Sequence, residues 1–207
     1  DGSFYVTGKT TGNLDGQINF GKEDGFISKF NSSGIKQWTK LIGTSSNDRL
    51  NDLVINKDNF IYVVGNTDGN LDNLDKQREA MSDGFISKFN SEGIKIWTKL
   101  IGSPYDDYAY DIATDSNSYL YVSGNTNGNL DGEIYNGNQD TFISKFNTEG
   151  VNLWTELIGT SKDETIGDIQ IGLDGTIYIA GRTDSNWYGE INNGYDDAFI
   201  FALQENN

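Results

Sequence analysis

The chain of 207 residues contains no cysteine, no histidine and a single proline. Without the first two side chains it has no disulfide bond, no zinc site of the Cys/His type, no thiol nucleophile and no imidazole for acid–base catalysis. No run of apolar residues approaches the roughly 18–20 that a membrane-spanning helix requires. These absences exclude much of the common catalytic machinery and predict a chain that does not insert into a membrane.

Basic residues are also scarce. Fifteen Lys and Arg residues stand against 31 Asp and Glu residues, which gives a formal net charge of −16. Such a chain repels nucleic-acid backbones and anionic membrane surfaces, so we expect neither as a partner. Cations, basic proteins and neutral glycans remain as candidate partners.

Glycine, by contrast, is abundant, with 25 residues accompanied by many Asn and Asp. These residues tolerate the left-handed backbone of tight turns, and together with 35% hydrophobic residues they are typical of many short strands around a core. The composition predicts an all-β protein.

One segment recurs along the whole chain. Asp24–Asn31 reads Asp-Gly-Phe-Ile-Ser-Lys-Phe-Asn, and copies begin at Asp83, at Asp140 and, in degraded form, at Asp197. A second marker agrees, since Trp-Thr followed by Leu-Ile-Gly occurs at Trp38, Trp97 and Trp154. The chain is therefore interpreted as one repeat domain whose units span approximately 1–43, 44–102, 103–159 and 160–207.

Each period contains four predicted strands, A to D, bounded by Gly, Asn, Asp and Ser. Strand A is predicted at Asp52–Asn56, Asp111–Asp115 and Asp168–Gly172. Strand B is predicted at Phe4–Lys9, Ile61–Asn66, Leu120–Asn125 and Ile177–Arg182. Strand C is the Phe-Ile-Ser-Lys-Phe segment, and strand D is predicted at Ile35–Ile42, Ile94–Ile101 and Val151–Ile158.

This makes 14 strands, and the first unit lacks strand A while the last lacks strand D. Apolar residues occupy both faces of the strands, so each sheet must stack on like sheets, as in a β-propeller with strand A innermost. Open ends expose sheet faces and unpaired edges. We therefore expect self-association, as a homodimer or larger, or a place in a longer array; two copies would close seven or eight sheets.

Several motifs resemble a known family. Asp-Gly-x-x-Tyr-Val-x-Gly-x-Thr, Gly-Asn-Leu-Asp-Gly, Asp-x-Phe-Ile-Ser-Lys-Phe-Asn and Gly-x-x-x-Trp-Thr are similar to the bacterial seven-bladed β-propeller repeat (SBBP) family. The resemblance implies a propeller fold and an extracellular or cell-surface protein of a bacterium, with no single activity. The last unit departs from the pattern, because Trp187-Tyr188 replace Leu-Asp and Phe201-Ala202 replace Ser-Lys.

The loops between strands B and C are candidate cation sites. Oxygen-bearing side chains beside a glycine are the ligands that Ca²⁺ requires. Asn and Asp in such loops also cap turns by binding nearby backbone amides, so turn capping is the alternative. We expect no required cofactor in either case. The candidate ligands are Asn13, Asp15, Asp24, Asn70, Asp72, Asp83, Asn129, Asp131 and Asp140.

Acidic residues also recur near the start of strand A. If strand A is innermost, they gather at one mouth of an axial channel and form a negative funnel. These residues are Asp48, Asp52, Asp107, Asp111, Glu164 and Asp168. Because every copy carries them, they do not form the single unequal carboxylate pair of a glycosidase, and we expect no catalytic residue.

The tryptophans of strand D share one register, which favours packing between sheets, whereas Trp187 and Tyr188 stand alone as a possible ligand platform. We expect a non-catalytic surface scaffold for assembly or for binding a protein or other ligand. A glycan-binding propeller is the alternative, and a polysaccharide hydrolase is the third hypothesis.

Overall fold

The computed structural model describes residues 2–74, 82–187 and 189–204. They form fourteen β-strands in four antiparallel sheets. The first sheet contains β1 (Phe4–Thr10), β2 (Asp24–Phe30) and β3 (Lys36–Ile42). The second contains β4 (Asp48–Ile55), β5 (Ile61–Thr67), β6 (Asp83–Phe89) and β7 (Lys95–Ile101). The third contains β8 (Asp107–Thr114), β9 (Leu120–Thr126), β10 (Asp140–Phe146) and β11 (Asn152–Ile158), and the fourth β12 (Glu164–Ile171), β13 (Ile177–Thr183) and β14 (Asp197–Leu203).

Neighbours in sequence are neighbours in each sheet, so every sheet is a meander. The predicted all-β class and the 14 strands are confirmed; among the described residues the first sheet has no strand A and the fourth has no strand D. No helix among the described residues is long and apolar enough to cross a membrane.

The predicted starts of the A strands were wrong. These strands begin at Asp48, Asp107 and Glu164, four residues before the predicted starts. The reason is a register shift in each strand, between Leu50 and Asp52 in β4 and at the equivalent places in β8 and β12. A bulge of this kind reverses the alternation of side chains, which hides the upstream half of the strand from a period-two pattern.

The turns between strands C and D have a local cause. The Asn31 side-chain oxygen accepts hydrogen bonds from the backbone N–H groups of Ser33 and Ile35, at 3.0 and 2.9 Å. Asn90 and Asn147 repeat both bonds. An Asn side chain that binds its own turn in this way fixes the reversal of the chain.

The core lies between the sheets. Three clusters of buried apolar residues each join one sheet to the next, and the A strands β4, β8 and β12 pack beside one another. Trp38, Trp97 and Trp154 lie against these clusters, each close to a strand B tyrosine. The sheets therefore stack face to face, with strand A on the inner side.

Candidate functional site

The aspartates of the B–C loops turn back onto strand D of their own sheet. Asp15 accepts hydrogen bonds from Lys36 Nζ and from Thr39 Oγ1, the latter at 2.6 Å. The Lys36 ammonium holds the pKa of Asp15 below its usual value. Asp72 is bound in the same way by Lys95 and Thr98, and Asp131 by Asn152 and Thr155. These three carboxylates fasten the loop to the outer strand.

Two asparagines of the same loops cap turns. Asn13 Oδ1 accepts a hydrogen bond from the Asn19 N–H, and Asn129 Oδ1 accepts one from the Tyr135 N–H, both at 3.0 Å. Asn70 precedes the short 3₁₀ turn Leu71–Asn73. The hydrogen bonds of Asn13 and Asn129 are the ones that turn capping predicts, because each side chain binds a backbone N–H of its own loop.

The aspartates that open strand C are buried. Asp24 Oδ2 accepts a hydrogen bond from the Phe20 N–H at 2.6 Å, Asp140 Oδ2 accepts one from the Asn136 N–H at 2.9 Å, and Asp83 begins β6 in the same position. Burial raises the pKa of both Asp24 and Asp140. Across residues 2–74, 82–187 and 189–204 no three or more carboxylates are arranged as a metal site. Calcium binding stays a prediction.

The acidic residues of strand A separate into two rows. The first row, Asp48, Asp107 and Glu164, has no exposed surface. Asp48 accepts hydrogen bonds from the Thr44 N–H and from the Thr44 and Thr67 hydroxyls, and the other two have equivalent donors. The expectation that these three line a channel mouth was wrong, because hydroxyl and amide donors enclose them at the joint between strands A and B.

The second row, Asp52, Asp111 and Asp168, links three neighbouring sheets. The Asp111 carboxyl group is hydrogen-bonded to the carboxyl groups of both Asp52 and Asp168. Asp52 also accepts a hydrogen bond from the Ile112 N–H at 3.2 Å, and Asp111 accepts one from the Ile169 N–H at 2.7 Å. Burial, reinforced by Asp52, raises the pKa of Asp111 to about 6. This ladder binds inner strands of the second, third and fourth sheets together.

The last B–C loop differs from the others. Trp187 is half-buried and meets Phe199 edge-on, with ring centroids 3.9 Å apart, while it stacks on Phe201 at 6.2 Å. Tyr188, the other predicted platform residue, lies outside the described residues. Trp187 is therefore part of an aromatic cluster of the fourth sheet, next to a cavity of about 470 Å³.

The open faces of the two end sheets contain apolar residues that the sequence interpretation missed. In the fourth sheet Ile200 is 81% exposed, whereas its repeat equivalents Ile27, Ile86 and Ile143 are fully buried. In the first sheet Phe4 and Val6 are 46% and 43% exposed, and Phe4 stacks on Phe30. Alignment of the repeats could have identified these residues, because their equivalents contact a neighbouring sheet, and residues 2–74, 82–187 and 189–204 form no sheet on these two faces.

Comparisons with known proteins agree with this architecture. The beta-propeller repeat family model (SBBP) matches residues 37–72 and 96–131, which span strands D, A and B of adjoining sheets. These two segments of the chain are SBBP β-propeller repeats. The resemblance seen in its motifs is thereby confirmed.

Two curated proteins are similar over much of the chain. The regulatory protein FlaEY of Caulobacter vibrioides is 26% identical over 206 residues, covering 89% of this chain. The uncharacterized WD repeat-containing protein L264 of Acanthamoeba polyphaga mimivirus is 26% identical over 180 residues, covering 65% of this chain. The chain spans 21% and 13% of the lengths of these relatives.

Proposed function

We propose that the chain is a non-catalytic repeat scaffold whose open fourth sheet packs on the open first sheet of a second copy. One observation carries the proposal. Each interior cluster joins the strand C isoleucine of one sheet to a strand B residue of the next: Ile27 with Val63, Ile86 with Val122, and Ile143 with Ile179. Ile200 and Val6 occupy these two positions on the open faces.

The burial of equivalent residues supports the contact. Phe4 and Phe30 hold the positions that Ile61 and Phe89 hold in the second sheet, where the two residues are 0% and 2% exposed. Burying apolar surface of this kind contributes about 25 cal/mol per Å². The faces thus have the composition of a sheet–sheet interface.

Charge opposes the association, because each copy has a net charge of −16. Salt screens repulsion between exposed charges, so self-association should strengthen as ionic strength rises. This distinguishes contact through apolar faces from contact through surface ion pairs, which salt weakens.

The repeated carboxylates support a non-catalytic role, since their hydrogen bonds fasten loops and strands. The relatives are named as a regulatory protein and a WD repeat-containing protein, and neither name specifies a reaction. The extracellular or cell-surface location implied by the family resemblance is part of the proposal. Protease accessibility of the protein on intact cells tests that part.

Light scattering across a range of concentrations tests the assembly. We expect a mass of at least twice 22.9 kDa, and a return to a single chain in the variants Ile200→Lys and Val6→Lys. Ile134→Lys is the matched control, because Ile134 is 70% exposed in a loop of the third sheet, away from both open faces. A folded single chain at every concentration and salt level would overturn the proposal.

A further inference from the structure

A cavity of about 480 Å³ lies between the first and second sheets. Lys29 spans this joint, because its Nζ donates a hydrogen bond to the Ser91 carbonyl of the second sheet at 3.3 Å. The lining includes residues of both sheets: Ser3, Lys29, Gln37 and Trp38 of the first, and Ser91 and Glu92 of the second. The cavity therefore lies within the array of sheets and not on either open face.

An aromatic ring covers the equivalent lysine in the next two sheets. Phe60 directly precedes β5, and its ring centroid lies 4.2 Å from Lys88 Nζ. In the third sheet Tyr119 directly precedes β9, and its ring centroid lies 4.4 Å from Lys145 Nζ. Lys88 and Lys145 are only 9% and 8% exposed. The ring ahead of strand B thus shields the strand C lysine of its own sheet.

The first sheet has a serine in place of this ring. Ser3 directly precedes β1, as Phe60 precedes β5. Lys29 lies 5.5 Å from the ring of Tyr5, which matches the distance of Lys88 from Tyr62. A cavity therefore opens beside Lys29 at the place that the Phe60 ring fills beside Lys88.

The chain that leads into strand B does not fill this place in the second sheet. Lys57, Asp58 and Asn59 are exposed there, and Phe60 itself reaches Lys88. By the repeat, a segment ahead of Ser3 follows the same course outside the cavity. A ring beside Lys29 therefore has to come from a ligand.

We infer that the cavity between Ser3, Lys29 and Trp38 binds a small neutral molecule that carries an aromatic ring. The ring meets the Lys29 ammonium as Phe60 meets Lys88, because the face of an aromatic ring attracts a cation. The cavity volume lies within the range of roughly 300–1,000 Å³ that is typical of small-molecule sites. Exposed Glu92 and the net charge of −16 disfavour an anion, and the ammonium disfavours a cation.

Phenol and cyclohexanol test the inference, because the two probes are similar in size and each has a hydroxyl group, but only phenol is aromatic. Each is titrated into the isotope-labelled 207-residue chain, and the indole N–H signals of the four tryptophans are followed by NMR. We expect phenol to shift the Trp38 signal saturably at millimolar concentration, with a dissociation constant at least about threefold lower than that of cyclohexanol. Benzoate, an anion, should bind more weakly than phenol.

Trp97 and Trp154 are internal references, because Phe60 and Tyr119 already cover the lysines of their sheets. A phenol-induced shift of Trp38 no larger than theirs would overturn the inference. Equal affinities for phenol and cyclohexanol, or tighter binding of benzoate, would contradict the proposed ligand class.

Two protein variants locate the binding. Ser3→Phe supplies from the chain itself the ring that Phe60 supplies in the second sheet, so it should weaken phenol binding at least about tenfold. Ser33→Phe is the matched control, since it adds the same ring at an exposed position of the turn between β2 and β3, and it should bind phenol as the parent chain does. Unchanged binding by Ser3→Phe contradicts the proposed site.

If Ser3→Phe fails to fold, Lys29→Met decides. This variant keeps the apolar stem of the side chain and removes the ammonium, so the preference for phenol over cyclohexanol should fall below about twofold. An undiminished preference would overturn the inference. The site lies at a joint within one chain, so these results are independent of the face-to-face assembly proposed above.

Discussion

The third and fourth sheets are both antiparallel meanders, but their side chains differ on strand C and in the B–C loop, beside the place that strand D occupies in the third sheet. In the third sheet Ser144, Thr155 and Asp131 form a polar chain across strands C and D. In the fourth sheet Trp187, Phe199 and Phe201 occupy the corresponding region. Polar bonds fasten the third sheet, which has a strand D, whereas aromatic residues take their place in the fourth sheet, in which the described residues include no strand D.

Lysines extend the comparison to the contacts between sheets. Lys88 Nζ donates to the Thr148 carbonyl of the third sheet at 2.9 Å and lies 4.2 Å from the Phe60 ring centroid. Lys29 makes the corresponding bond from the first sheet to Ser91, at 3.3 Å. The fourth sheet has Ala202 at this position. The lysine of the first and second sheets thus binds the following sheet, and the fourth sheet has alanine in its place.

The largest expected effect concerns strand A, which the second, third and fourth sheets contain and which is not among the described residues of the first sheet. A Cβ on Gly124 would lie 1.9 Å from the Tyr108 carbonyl oxygen of strand A, whereas one on Gly8 would only approach the Phe26 ring, at 3.1 Å. Gly124→Ala should cost about 3 kcal/mol of unfolding free energy, and Gly8→Ala less than about 1 kcal/mol. Urea denaturation measures both, and similar losses would contradict the account of strand A.

The next effect compares the two lysines. Lys88→Met keeps the apolar stem but removes the bond to Thr148 and the contact with Phe60, so we expect a loss of about 2 kcal/mol. Lys29→Met should cost about half as much, because its bond is longer and its ring contact is 5.5 Å. Thermal and urea denaturation measure both losses of stability. If Lys29→Met loses as much as Lys88→Met or more, the hydrogen bond to Thr148 is not the cause of the loss.

The smallest effect concerns the aspartate ladder and depends on pH. The pKa of Asp111 is raised from 3.8 to about 6, so this group favours the folded state most below about pH 4 and that contribution is lost as pH rises through about 6. The full pKa shift of Asp111 corresponds to about 3 kcal/mol of unfolding free energy, and the partial exposure of the group reduces this contribution to about 1 kcal/mol.

Asp111→Asn should therefore stabilise the chain by about 1 kcal/mol at pH 8 and change little at pH 4. Asp58→Asn, at an exposed turn residue, is the control, and its effect should be small at both pH values. Denaturation curves at the two pH values check this prediction. A stabilisation by Asp111→Asn that is equal at both would rule out the raised pKa as its cause.

Much of the fold could be predicted from the sequence because its determinants are local. Asn31 and its copies bind their own turns, and apolar segments recur in strands B and C between those turns, so the number and order of the strands follow from repeated short patterns. The starts of the A strands could not be predicted, since the bulge after Leu50 is a property of pairing with β5.

The candidate site was harder to predict than the fold, because the roles of its residues depend on tertiary contacts. Asp48 and Asp52 look alike in sequence, but one is enclosed by Thr44 and Thr67 and the other bonds to the next sheet. The replacement of leucine by Trp187 is visible in the sequence, whereas its stacking on Phe201 needs the fold. The exposure of Ile200 likewise depends on which sheet is its neighbour.

Disulfide cross-linking tests the proposed assembly most directly, because the chain has no cysteine of its own. Val6→Cys and Ile200→Cys are prepared separately, mixed and oxidised. The account predicts a covalent dimer that contains one chain of each variant, formed faster at high salt, and little dimer from either variant alone. Absence of the mixed dimer, or equally efficient cross-linking of each variant with itself, would contradict the assembly of fourth sheet on first sheet.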